Sequence, residues 1–170
     1  MGGTCGDLIT AVIDPTNATI TGPSMTMGKD RVKLKKPHLF NSIDEKDRYI
    51  QSMTAHYRSL PSHDTTYHID RGHDFISVIV QDMPSAQWAT TRFKTLHHPD
   101  IWQEMLSITG FKDENSYAEC MIHYSELVMK HTDKCIELSS IVNGNMIGLL
   151  SKYVSTPLHT NIYSTWLRYQ

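Results

Sequence analysis

The apolar run Leu8, Ile9, Ala11, Val12 and Ile13 follows directly on the opening MGGTCGD. It predicts a helix over 6–13 entered straight from a glycine loop. Asp14-Pro15 ends that helix, because a residue before proline avoids helical backbone angles. Residues 16–40 are rich in Thr, Gly, Pro and Lys without helical period, and read as a loop or hairpin excursion. Periodicity returns in SIDEKDRYIQSMTAHY, where Ser42 and Glu45 have capping-box spacing and Ile43, Ile50, Met53 and Tyr57 fall near one face. RSLPSHD breaks it. In DFISVIVQD, the residues Phe75, Ile76, Val78, Ile79 and Val80 make a nearly continuous apolar run, β-branched at all but Phe75. Such a run predicts a strand buried on both faces, as in a parallel sheet.

Three helices are predicted next: MPSAQWATTRFKTL, with Pro84 in its first turn and Trp88 and Phe93 facing inward; HHPDIWQEMLSIT; and ENSYAECMIHYSELVMKHTDK, the longest. CIELSS reads as a short strand, IVNGNMIGLLSKYV as a helix, and NIYSTWLRYQ closes the chain. Strands alternating with helices predict the α/β class. The expected architecture is three-layered, a small parallel sheet flanked by helices with short crossovers, folded as a single domain over 1–170.

Composition narrows this picture in a few places. Hydrophobic residues make up 39% of 170, ordinary for a globular domain, and no stretch approaches the roughly 18 apolar residues of a membrane helix. No leader pattern is visible at the start, and the three cysteines, Cys5, Cys120 and Cys135, lie far apart. A reducing cytoplasmic setting without a disulfide framework is expected. The net charge of −2 gives no general pull toward nucleic acid. One local exception is KDRVKLKK, where Val32 and Leu34 alternate with basic residues. It reads either as a charged edge strand that resists aggregation or as an anion-binding rim.

The opening loop is the first candidate for chemistry. A glycine-rich turn running into a helix exposes backbone N–H groups at the positive end of the helix dipole, which suits phosphate or sulfate. Gly2, Gly3 and Gly6 permit close approach and Thr4 offers a hydroxyl, but no lysine follows and Asp7 stands where a cation would help. The GxxxxGK[ST] pattern is not met.

LPSHDTTYHIDRGHDFISVIVQDMPSAQWATTRFK and the tail CIELSSIVNGNMIGLLSKYV, followed by Trp166, resemble P-loop sulfotransferases in the order of their elements, and are most like the small divergent members found in bacteriophages. Ser62-His63 matches the family's first strand end and FISVIVQDMP its second. The resemblance implies a P-loop nucleotide-binding fold that moves a sulfuryl or phosphoryl group to a hydroxyl acceptor in a host cytoplasm. PAPS or adenosine 3′,5′-bisphosphate would be held by Gly3, Thr4, Cys5, Gly6 and Asp7, flanked by Gln81 and Thr91. Two cations of the pattern are missing. The loop lysine has no counterpart in Thr4-Cys5-Gly6-Asp7, and Gln81 occupies the place of the strand-end arginine. The helix serine corresponds to Thr90 or Thr91.

His63 is the candidate catalytic residue, a general base for the acceptor hydroxyl. It belongs to SHDTTYHIDRGHD, which holds His63, Asp64, His68, Asp70, His73 and Asp74. That segment reads as a solvated polar loop. Its His and Asp content also admits a metal-dependent hydrolase, although no HExxH-like spacing is present. Three readings follow: a transferase with a small-molecule or nucleotide ligand and no metal; a non-catalytic member of the same fold that binds a protein partner; and the metal hydrolase.

Overall fold

A computed structural model describes residues 5–15, 18–20, 32–34, 42–51, 65–96, 102–104, 106–107 and 110–168. They fall into two compact units, one formed by 65–146 with Cys5 and the other by the described parts of 6–51 and 147–168.

In the second unit, helix α1 (Gly6–Ile13) buries Leu8, Ile9, Thr10, Ala11 and Val12. Asp14-Pro15 stops it as expected, with Asp14 N–H closing the last turn on Thr10 O at 2.8 Å. Strands β1 (Ala18–Ile20) and β2 (Val32–Leu34) pair antiparallel, Ala18 opposite Leu34 and Ile20 opposite Val32. The described parts of the excursion therefore pair as two antiparallel strands, and Lys33 of the basic segment lies in the second. Both strands pack against α1. Helix α2 (Ile43–Gln51) begins where the cap pattern places it, with Glu45 N–H donating to Ser42 Oγ at 3.2 Å. Its expected apolar face is not buried throughout, since Ile43 is 60% exposed.

The first unit holds the parallel pair. Helix α3 (Thr65–Asp70) precedes strand β3 (Ser77–Ile79), which is followed by helix α4 (Met83–Leu96), helix α5 (Glu114–Val128), strand β4 (Cys135–Glu137) and helix α6 (Leu138–Val142). Strands β3 and β4 run parallel in the register Ser77↔Cys135, Val78↔Ile136, Ile79↔Glu137. The described residues thus mix helices with a small two-stranded parallel sheet. The crossover between the two strands is long, because α4 and α5 both lie within 80–134. Burial on both faces of β3 is reached only at its end: Ile79 and Val80 are buried while Ser77 and Val78 are half-buried.

The inward face of α4 differs from expectation. Ala86, Ala89 and Thr90 are the fully buried positions, and Trp88 and Phe93 are half-buried. Small residues at this spacing let α4 approach α5, where Ala118 and Met121 are fully buried. The aromatic volume collects beside that contact. Phe93, Trp102 and Phe111 surround Tyr117 with ring centroids 5.4–6.1 Å away.

Helix α5 starts in a complete capping box. Asp113 accepts from Ser116 N–H at 2.8 Å, and Ser116 Oγ accepts from Asp113 N–H at 3.0 Å. The Ser116 N–H bond holds the Asp113 carboxyl below the usual carboxylate range. A folded-state value below the unfolded one contributes stability above the ordinary carboxylate range, and this is lost as pH falls through the folded value. Asparagine caps without titrating. Asp113→Asn is therefore expected to flatten the acid limb of stability against pH, measured by urea unfolding at a series of pH values. An unchanged limb would show that the cap does not carry the shift.

The helix expected over IVNGNMIGLLSKYV is divided. α6 ends at Val142, Gly144 adopts φ +89°, and helix α7 (Met146–Leu150) begins anew. In the second unit, helix α8 (Thr160–Leu167) buries Ile162, Tyr163 and Trp166 and packs on α1, tied by His159 N–H to Val12 O at 2.9 Å. Among the described residues no helix is long and apolar enough to cross a membrane.

Candidate functional site

The turn into α1 is unusual in its backbone. Cys5 is buried and has φ +61°, a left-handed conformation uncommon for a side-chain-bearing residue. It delivers the chain to Gly6, whose carbonyl accepts from Thr10 Oγ1 at 3.0 Å. Gly6 and Asp7 are half-buried. Gly3, Thr4 and the proposed base His63 lie outside the described residues. Of the predicted ligand-contacting set, Gly6 and Asp7 thus open α1 in the second unit, while Gln81 and Thr91 stand in the first.

Open α/β sheets bind ligands beyond the carboxyl ends of their strands. At that edge β3 continues through Val80 into Gln81 and Asp82. The Val80 N–H is fully buried and donates to Ser125 Oγ at 2.9 Å. Gln81 is exposed and its Nε2 donates to Met129 Sδ at 3.6 Å. Asp82 caps α4: one carboxylate oxygen accepts from Ser85 N–H at 2.7 Å and the other from Ser85 Oγ at 2.9 Å. The helix start that follows the strand is therefore occupied by the chain's own carboxylate, which takes the place an anionic ligand would fill.

Thr91 is exposed on α4, nine residues past Asp82 and about two and a half helical turns along. The alternative, Thr90, is buried and spends its hydroxyl on Ala86 O at 2.8 Å. Beside β3, Glu137 ends β4 as an exposed carboxylate that accepts from Ser139 Oγ at 3.3 Å. Both strand ends consequently carry acidic side chains.

A second constellation lies at the amino end of the same strands. The segment 65–74, expected as a polar loop, contains α3, which closes in a Schellman turn. Gly72 N–H donates to Ile69 O and His73 N–H to His68 O, both at 3.0 Å, with Gly72 at φ +60°. That turn brings together the side chains flanking its 6→1 bond, so the Nδ1 atoms of His68 and His73 meet at 3.2 Å. Buried Tyr67 stands edge-on to both imidazoles, at 5.0 and 5.7 Å between centroids, and Phe75 lies 6.2 Å from His68. The Arg71 guanidinium covers Tyr67 at 4.1 Å. Spacing could have revealed this pair: in HIDRGH the glycine sits where a helix ends, with one histidine just after it and another four residues before it.

His73 also borders an open cleft of about 420 Å³, shared with Asp74, Phe75 and residues 129–133. Lys134 holds Asp74 at 2.5 Å, and Thr132 Oγ1 donates to Phe75 O at 3.2 Å, fastening the loop before β4 to the one before β3. Cys135 beside it is a poor nucleophile, because partial burial pushes its thiol above the usual range, with Asp133 adding to the effect. Among the described residues no group of three or more His, Cys, Asp or Glu side chains is placed to hold a metal ion; His63 and Asp64 of the hydrolase reading lie outside them.

No protein-family model matches the chain, and no curated protein or solved structure matches it either.

Proposed function

We propose that the chain is a divergent three-layer α/β protein of the P-loop type that acts by binding a protein partner and has lost sulfuryl transfer. The observation that supports this is Asp82. A nucleotide phosphate at the start of α4 would have to displace a carboxylate already bonded to Ser85. Glu137 adds a second negative charge at the neighbouring strand end. Each phosphate–carboxylate charge pair at about 4 Å costs on the order of 4 kcal/mol at an effective dielectric of about 20, before salt screening. The family's two cations, which would offset this, are absent from the matching positions. Leu127 and Met129, 42% and 36% exposed at the end of α5, offer apolar contact to a partner.

Calorimetric titration with adenosine 3′,5′-bisphosphate, PAPS and ATP is expected to give no saturable heat. A stoichiometric heat with any of them would overturn the proposal. It would favour instead the transferase reading, in which the loop from Gly3 to Asp7 cradles the phosphate and His63 activates an acceptor hydroxyl. The left-handed turn at Cys5 directly before α1 is the feature that supports that second reading.

A further inference from the structure

We propose that His68 and His73 form a two-imidazole binding site for a borderline divalent cation of the Zn²⁺ or Ni²⁺ type, at the amino end of the parallel strands. Adjacent nitrogen ligands of a tetrahedral ion lie about 3.3 Å apart when each is about 2.0–2.1 Å from the metal. The two Nδ1 atoms stand at 3.2 Å, so they already have the bite of such an ion.

The spacing is built into the backbone. The left-handed Gly72 and the two turn bonds to Ile69 O and His68 O fix the positions that carry the rings. The edge-on contacts to Tyr67 limit ring rotation. Few rotamers need to be frozen on binding, which is the main entropic cost of assembling a chelate. Imidazole suits borderline divalent metals better than hard ones. The site also lies at the carbonyl end of α3, where the local backbone dipoles favour a cation.

Without metal the two nitrogens share one proton, donor to acceptor. Binding replaces that hydrogen bond by two N–metal bonds, and the proton moves to the other nitrogen of its ring. Water completes the coordination sphere from the cleft beside His73, whose volume of about 420 Å³ holds several molecules. Asp74 is not needed as a ligand, since Lys134 engages it.

The test compares the full chain with His73→Phe. Phenylalanine keeps a ring after Gly72, where an apolar contact is the usual companion of the turn, so the fold is retained; far-UV circular dichroism checks this. Titration with ZnCl₂ by calorimetry, and with CoCl₂ by visible absorption, is expected to show one site that weakens by roughly tenfold or more in the variant. Imidazole ¹⁵N resonances of His68 and His73 should move together on Zn²⁺ addition, ahead of exposed His123. Equal affinity and stoichiometry in both proteins, no binding in either, or resonance changes that leave His68 and His73 untouched would each overturn the site.

Discussion

Replacing Ser125 with valine is expected to lower the unfolding free energy by about 2–3 kcal/mol. Ser125 is 1% exposed, and its hydroxyl makes two bonds. It accepts from Val80 N–H at 2.9 Å and donates to Met121 O at 2.8 Å. The second bond is local to α5 and its loss costs little, because that carbonyl belongs to the helix ladder. The first joins α5 to the end of β3, and Val80 is fully buried. Valine is larger than serine by one heavy atom at a buried site, and it leaves that N–H without an acceptor and out of reach of water, so a desolvation cost and an overpacking cost appear together. Ser125→Thr restores an oxygen at the same position and should recover a substantial part of the loss. Urea denaturation of the three proteins, followed by circular dichroism, measures the differences. A change below about 0.5 kcal/mol for valine would mean that Val80 finds another acceptor.

Leu8→Ala is expected to cost about 3 kcal/mol and to lower the melting temperature by roughly 6–12 °C. Leu8 is fully buried on α1, a helix whose positions 8–12 are all buried, so little surrounding surface can relax into the space. The cost combines lost transfer energy with an unfilled cavity. Leu8→Met conserves volume and should stay within about 1.5 kcal/mol of the parent. Differential scanning calorimetry of both variants separates the cavity effect from a general intolerance of change at this helix. An alanine variant melting with the parent would show that α1 is not packed as described.

Much of the layout was readable because its signals are local. The apolar run at Phe75–Val80 announced β3, and Pro84 marked the first turn of α4. Ser42 with Glu45 placed the start of α2, and Asp14-Pro15 the end of α1. Each works within one turn of helix or a few strand residues, so the neighbouring side chains suffice to encode it. The candidate site was less legible. The resemblance suggested a strand-end Gln81 and a helix Thr91 that act together, but Asp82 caps the start of α4 with its own carboxylate, a bond set by the folded turn. The polarity of residues 65–74 concealed α3, because a six-residue helix is too short to display a period.

The order of elements, their types and several of their ends were written into the residues of each segment: propensity, capping and proline sterics act over a few positions and need no partner. Packing alone settled that α4 turns Ala86, Ala89 and Thr90 inward instead of its aromatic residues, since close approach to α5 rewards small side chains there. It likewise decided that Ser125, far along the chain, completes the bonding of Val80, and that β3 finds β4 across the intervening α4 and α5. Those outcomes depend on which surfaces meet, a property of the assembled chain that no short stretch contains.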